Sequence, residues 1–466
     1  MVQYKGKFRV RSFASILLGM AVSLLPATGQ QNPILPQQPG PKVNLPAAEG
    51  LLTLTLKDAL ARAQRYETSF LAAANAADLA REDTLQGRAA LYPTVGLRSE
   101  FLNTQGNGVF PSGRYVTNDG VHVYREWSVF HQDLGPGTLT RSGYQRAAAA
   151  EALAHAKVEV TRRGLNVTVT KAYYALVAAQ RKYASAQLAL KQAQDYLTIS
   201  QQLERGGEAP HSDVVKAQIQ YNSQDQALRE SRLATSSTRL DLAVLLFPDF
   251  NQEFQVVDDL QAAPALLLRA DAEAMAKKEN PDLRAAAESL RGANLDITIA
   301  RQAFLPTLSL DVDYGLEANQ IGWNTIVAAD PAKGRVPSVG YFVTAAATFP
   351  VWDWGARKSK LKQALLRKQQ ANVEMTAAQR TVLRELNGFY DEAQTARDEL
   401  DLLRQSTDLA TENLRLNTLR YQGGEATVLE LVDAQNTLIQ ARNAYDDGLV
   451  RYRVALANLQ TVTGTF

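Results

Sequence analysis

The chain has 466 residues and is close to electrical neutrality, with 50 basic and 48 acidic side chains. That balance leaves no electrostatic footprint for nucleic acid. Cysteine is absent, which excludes disulfides, thiolate metal sites, a thiol nucleophile and a lipidated N-terminal cysteine.

In chain order, residues 1–29 read as a signal peptide. Lys5, Lys7, Arg9 and Arg11 form a basic start, Phe13 to Leu25 an apolar run, and Ala27 to Gly29 a small-residue end. The run is too short to span a bilayer stably, so export is expected rather than anchoring. Residues 30–50 carry Pro33, Pro36, Pro39, Pro41 and Pro46 and are expected to be an extended lead-in.

Beyond this point the chain says nearly everything twice. RAALYPTVGL from Arg88 returns as RQAFLPTLSL from Arg301, an offset of 213 residues. GGEAPHSDVVKAQ from Gly206 returns as GGEATVLELVDAQ from Gly423, an offset of 217. So constant a register implies two copies of one structural unit in the same order. The first copy is placed at 51–250, a linker at 251–270 and the second copy at 271–466. Each copy is expected to run helix, strand, loop, strand, long helix, short turn, helix.

The strands are expected at 93–103 and 120–131 in the first copy, and at 306–316 and 338–351 in the second. After Pro306, Leu308, Leu310, Val312, Tyr314 and Leu316 alternate with Thr307, Ser309, Asp311 and Asp313. Before Pro350, Val339, Tyr341, Val343, Ala345, Ala347 and Phe349 recur at every second place. In the first copy, Val95, Leu97 and Phe101 form one face, and Val121, Val123, Trp127 and Val129 another, with Arg125 falling on that apolar face. Alternation of this kind, in strands of about 10 residues, fits a sheet with lipid on one side and water on the other. About 8 strands are needed to close even a filled barrel, so four need further chains.

The long helices are expected at 138–205 and 356–422, each about 100 Å at 1.5 Å per residue. They are followed by helices at 209–246 and 426–462. The second long helix carries a 3-4 stripe of Leu386, Phe389, Ala393, Ala396, Leu400, Leu403, Thr407, Ala410, Leu414, Asn417 and Tyr421. The first carries Val169, Ala172, Leu176, Ala179, Tyr183, Ala186, Leu190, Ala193, Leu197 and Ser200. Heptad spacing keeps such a seam against a partner helix. Hairpins this long are expected to lack a globular core, so that neighbouring hairpins must cover the stripes.

No acid, base or nucleophile constellation stands out, so an enzyme is not expected, and no cofactor or metal site is implied. His122, His131, His155 and His211 show no ligand spacing with carboxylates, and a surface or loop role is expected for each. Gly206, Gly207, Gly423 and Gly424 are read as turns between helices, where glycine tolerates left-handed backbone. Asp213, Thr427 and Glu430 open the helices that follow, and acidic groups there also suit the helix dipole. Glu430 and Asp433 lie three residues apart on one helix face.

These features resemble the TolC-like outer-membrane factor family, from about Leu54 to Thr463. The resemblance rests on the LTLKDAL opening at Leu54 and on the junctions Leu91-Tyr92-Pro93 and Phe304-Leu305-Pro306. It rests also on FPVWDWGARKSK from Phe349, the two Gly-Gly turns and the duplicated order. It implies a mostly α fold with a four-strand β contribution. A homotrimer would form a twelve-stranded barrel in the outer-membrane lipid and a hollow α-helical tunnel across the periplasm. Its partners would be a periplasmic adaptor and, through it, an inner-membrane transporter. The implied function is a passive exit duct of a tripartite efflux system. A type I protein secretion duct and a structural periplasmic coiled coil are the alternatives.

The resemblance also implies a periplasmic mouth at the hairpin turns. Gly206, Gly207, Gly423, Gly424 and Thr427 would contact the adaptor. Glu430, Asp433 and Tyr421 would form the entrance, the two carboxylates making acidic rings in a trimer. Such rings favour cations. Relatives often carry a basic residue two positions after the turn glycine; here that position is Ala426.

Overall fold

A computed structural model describes residues 52–103, 122–207, 210–249, 252–262, 264–318, 326–327, 335–336, 339–423 and 425–465. The expected signal peptide and lead-in lie outside the described residues, as do Val121 and Gly424.

The first half runs β1 (Leu52–Leu54), α1 (Leu56–Tyr66), α2 (Thr68–Ala89), β2 (Thr94–Asn103), β3 (His122–Asp133), α3 (Pro136–Thr140), α4 (Ser142–Gly206) and α5 (His211–Leu246). The second runs β4 (Phe254–Val256), α6 (Arg269–Glu279), α7 (Pro281–Gln302), β5 (Thr307–Ala318), β6 (Ile326–Val327), β7 (Arg335–Val336), β8 (Val339–Thr348), α8 (Ala356–Gln422) and α9 (Val428–Thr463). The helices start where side chains can satisfy their free N–H groups. Thr55 and Asp58 form a reciprocal capping box on α1. The Asn280 side chain accepts from the N–H groups of Asp282 and Leu283 ahead of Pro281, which presets α7.

The two long helices have 65 and 67 residues. The first begins later than position 138, because Pro136 starts the separate short turn α3. Arg141, with φ 56°, then redirects the chain into α4, and the buried Ser142 donates to the Gln302 side chain at 2.6 Å. The second strand-to-helix descent also uses left-handed backbone, at Trp354 (φ 55°) and Gly355 (φ 86°). Every member of both heptad stripes is buried or half-buried. On α8 the stripe faces α9, where the Thr407 hydroxyl lies 3.2 Å from the Ala441 carbonyl oxygen.

The expectation that these hairpins lack a globular core is corrected. A compact core surrounds the middle of α4, where Val169, Tyr173, Tyr174, Leu176 and Val177 pack against Leu54, Ala59, Ala63, Leu242, Leu246 and Phe254. The segment read as a linker supplies part of it, since β4 pairs in parallel with β1, Leu52 beside Phe254. The Tyr173 hydroxyl lies 2.8 Å from the Val257 carbonyl and 3.1 Å from that of Leu54, which ties both strands to the helix. Burial, and then the nearby Asp259, push its pKa up to about 12. Arg181 clamps the same belt, bonding Asp258 at 2.6 and 2.8 Å and Asp446 at 2.8 Å.

Four strands form one antiparallel sheet in the order β2-β3-β5-β8, while β6 and β7 make a separate ribbon. Directly opposed residues share a face. Val95, Leu97, Phe101, Tyr124 and Phe130 therefore lie with Leu308, Leu310, Val312, Tyr314, Leu316, Val343, Ala345 and Ala347 on one face. Thr94, Arg98, Glu100, His131, Asp311, Asp313, Glu317, Thr344 and Thr348 lie on the other. Arg125, Trp127 and Val129 belong to this second, polar face, so the reading that put them on the apolar side is corrected. The register opposes Arg125 to Glu100 and Glu317, and its guanidinium reaches both, at 3.4 and 3.3 Å. Trp127 and Val129 are apolar residues on a polar face, and the Trp127 ring packs edge-on against Phe342 at 5.0 Å.

Candidate functional site at the helical hairpin tips

Each long helix returns through a short turn, and the two turns differ in mechanism. After α4, Gly207 adopts φ 78° and its N–H bonds the Glu204 carbonyl at 2.9 Å. The His211 Nδ1 lies 2.7 Å from Glu204, and Lys216 pairs with Asp213 at 3.2 Å. After α8, Gly423 has φ −79°, an ordinary right-handed value, which corrects the expectation that it needs left-handed backbone. That turn is closed by backbone bonds instead: Gly423 N–H to the Leu419 carbonyl at 3.0 Å, and Glu425 N–H to the Arg420 carbonyl at 2.8 Å. Gly424 lies outside the described residues.

Thr427 caps α9, its hydroxyl accepting from the Glu430 N–H at 3.3 Å. Val428, Leu431, Ala434, Gln435 and Leu438 form the buried side of that helix. Glu430 and Asp433 fall on the opposite, exposed side with Thr437 and Gln440. Tyr421 is half-buried and neighbours Tyr196, whose hydroxyl is shifted upward by burial. The geometry therefore gathers Tyr421, Thr427, Glu430 and Asp433 at one tip, with Gly206 and Gly207 at the tip of the other hairpin.

Two features here were not legible beforehand. Arg420 reaches across the turn to Glu430 at 3.5 Å and to the Glu425 carbonyl at 3.4 Å. The two charges stand ten residues apart in the sequence, and only closure of the hairpin brings them together. Between α4, α8 and α9 lies a groove of about 450 Å³ lined by Gln192, Thr418, Gln435 and Arg442, among others. There the buried Gln435 donates to Gln192 at 2.7 Å. A polar signal inside a heptad stripe, Gln435 beside Leu431 and Leu438, could have flagged it.

Among the described residues no group of His, Asp or Glu could hold a metal ion. His131, on a strand and not in a loop, pairs with Asp311 at 2.6 Å, and His155 stands 3.8 Å from Glu151. What the tip can do chemically is electrostatic: it presents the exposed acidic groups Glu430 and Asp433.

Residues 57–246 and 274–465 each match the family described as Outer membrane efflux protein. The outer membrane protein OprJ of Pseudomonas aeruginosa is 26% identical over 329 residues, covering 70% of this chain and 66% of that protein. The outer membrane protein TolC of Vibrio cholerae is 23% identical over 420 residues, covering 87% of this chain and 89% of that one. The solved Campylobacter jejuni CmeC outer membrane channel shares the fold, with a TM-score of 0.73 at 18% identity, over 88% of this chain and 85% of that one.

Proposed function

This chain belongs to the outer membrane efflux protein family, and from that premise we propose that three copies of it form the exit duct of a tripartite efflux system. The duct passes small molecules from an inner-membrane transporter and its periplasmic adaptor to the exterior. One observation carries this reading: a four-stranded sheet with one apolar face and two open edges is continued by helices of about 100 Å. Leu97 and Tyr341, on that face, are 71% and 76% exposed in the single chain. Apolar surface of that kind is covered by lipid when strands close into a membrane barrel. No helix among the described residues is long and apolar enough to cross a membrane. Trp352 and Trp354, 74% and 90% exposed where the sheet meets α8, suit the boundary between lipid and water.

The tip of the second hairpin serves as the entrance. In a trimer Glu430 and Asp433 recur three times each around the axis, and such rings favour cations. Gly206, Gly207, Gly423, Gly424 and Thr427 are the surfaces offered to the adaptor. An exposed apolar sheet face disfavours a purely structural coiled coil, which would have nothing to insert.

The test is conductance of the purified protein in a planar bilayer. Wild type is expected to conduct with cation preference, and the Glu430→Gln, Asp433→Asn variant to conduct with that preference lost. Absence of any conductance would contradict the duct, and unchanged selectivity in the variant would contradict the acidic entrance.

A further inference from the structure

The sheet gives way to the helices along one of its ends. There Thr94 opposes His131, Asp133 opposes Ser309 and Thr307 opposes Thr348, so the four passages between strand and helix lie side by side. Each passage carries exposed apolar side chains. Tyr92 precedes β2, Leu139 follows β3, Phe304 and Leu305 precede β5, and Trp352 and Trp354 follow β8, all between 46% and 90% exposed.

On the helical side of this apolar band stands a basic one. Arg88 lies in the last turn of α2 and Arg301 in the last turn of α7. Arg141 precedes α4, and Lys358, Lys360 and Lys362 lie in the first two turns of α8. All six are exposed, and none has a side-chain hydrogen bond or ion pair among the described residues. The duplication repeats the pattern: Arg88 and Arg301 are 213 residues apart, Arg141 and Lys358 are 217 apart.

The carboxylates at the same level are mostly engaged. The Asp133 side chain accepts from the Gly135 N–H at 2.7 Å, Asp353 pairs with Arg357 at 2.7 Å, and Asp296 pairs with Arg146 at 2.7 Å. Among the described residues within two turns of these helix ends, only Asp83 is an exposed carboxylate without such a tie. A chain that is nearly neutral as a whole thus concentrates free positive charge at this one level. Two helical turns are about 10 Å long, which is also about one Debye length at 0.1 M salt. Unpaired cations that close to an aromatic band suit a negatively charged membrane surface, where indole rings sit among the headgroups and basic side chains reach the phosphates.

We propose that the strand-to-helix passages bind anionic phospholipid headgroups of the leaflet facing the periplasm, through Arg88, Arg141, Arg301, Lys358, Lys360 and Lys362, with Trp352 and Trp354 in the headgroup layer. The proposal rests on the sheet as the part of the duct that enters the membrane, and it adds the class of lipid against which that sheet is seated.

The exposed indoles supply the readout. The full-length protein is reconstituted in vesicles of mixed phosphatidylglycerol and phosphatidylcholine in which one lipid or the other carries a brominated chain, and quenching of tryptophan emission is compared. Wild type is expected to be quenched more by brominated phosphatidylglycerol, with a preference that fades at high salt. The variant Lys358→Gln, Lys360→Gln, Lys362→Gln should lose most of that preference, about fivefold in lipid affinity for each side chain at the surface. Arg88→Gln with Arg301→Gln should lose part of it, whereas arginine at the three lysine positions should keep it. Trp352→Phe with Trp354→Phe should remove most of the quenching itself. Equal quenching of wild type by the two lipids, or an undiminished preference in the lysine-to-glutamine variant, overturns the proposal and leaves the duct standing. Absence of quenching by either lipid refutes the membrane-entering sheet. Retention of the detergent-solubilised wild type on purified peptidoglycan, lost in the lysine-to-glutamine variant, would assign the basic band to the cell wall and overturn the lipid.

Discussion

Gly315 on β5 stands directly opposite Trp127 on β3, where the two strand hairpins pair. A Cβ there would strike the Glu126 carbonyl oxygen and crowd the Trp127 backbone, neither of which can swing aside. The missing side chain also leaves room for Trp127 to meet Phe342 across β5. Gly315→Ala is therefore expected to destabilise the sheet by about 1–3 kcal/mol, the usual range for overpacking, read as dissociation of the trimer at lower temperature. Arg420 has a different kind of importance. Its guanidinium stands 3.5 Å from Glu430, with both side chains about half exposed. In the proposed duct it would offset a charge that the entrance otherwise presents. Arg420→Gln should raise cation preference in a bilayer, and a preference equal to wild type would mean that the pair is too well screened to matter. Ala426 lies half-buried in the same turn, next to Thr427. Ala426→Arg is expected to lower single-channel conductance by adding positive charge to the proposed acidic mouth, and a conductance equal to wild type would count against that mouth.

Elements combine here in two distinct ways. Along α4–α5 and α8–α9, small residues in the stripes let long helices lie close, with no end to the seam except the turns. Around the middle of α4, short and unrelated pieces of chain make a true core. The Arg181 clamp on that belt is sensitive to acid. Burial raises the Asp258 pKa, but hydrogen bonds from Arg181 and from the Leu260 N–H outweigh it, and the carboxyl titrates below its ordinary value of 3.8. A carboxyl depressed in the folded state contributes stability at pH above its unfolded value, and that contribution disappears as pH falls through the folded value. Protection of the β1 and β4 amides, taken relative to intrinsic exchange at each pH, should fall on acidification below about pH 3.8. Arg181→Met should remove most of that pH dependence, and a variant with the wild-type profile would place the acid sensitivity elsewhere.

For the whole molecule, the four-stranded sheet of the described residues ends at two unpaired edges, β2 and β8. Light scattering of the detergent-solubilised protein is expected to give three times the mass of one chain, and a single-chain mass would exclude the duct. Duplication, strand alternation and the heptad stripes were all legible in the sequence, because each is a local, periodic consequence of which side chains must avoid water. The sequence by itself therefore determined the order of the four sheet strands and the long helices, the helical hairpins and the apolar face of β5 and β8. Tertiary structure alone decided which face Trp127 and Val129 join, since the register opposes Arg125 to Glu100 and Glu317. It alone assembled the belt around Tyr173 from β1, β4 and α1, and brought Arg420 to Glu430 across a turn. Those contacts join residues whose sequence separation carries no period, so only the closed fold places them within a few ångströms of one another.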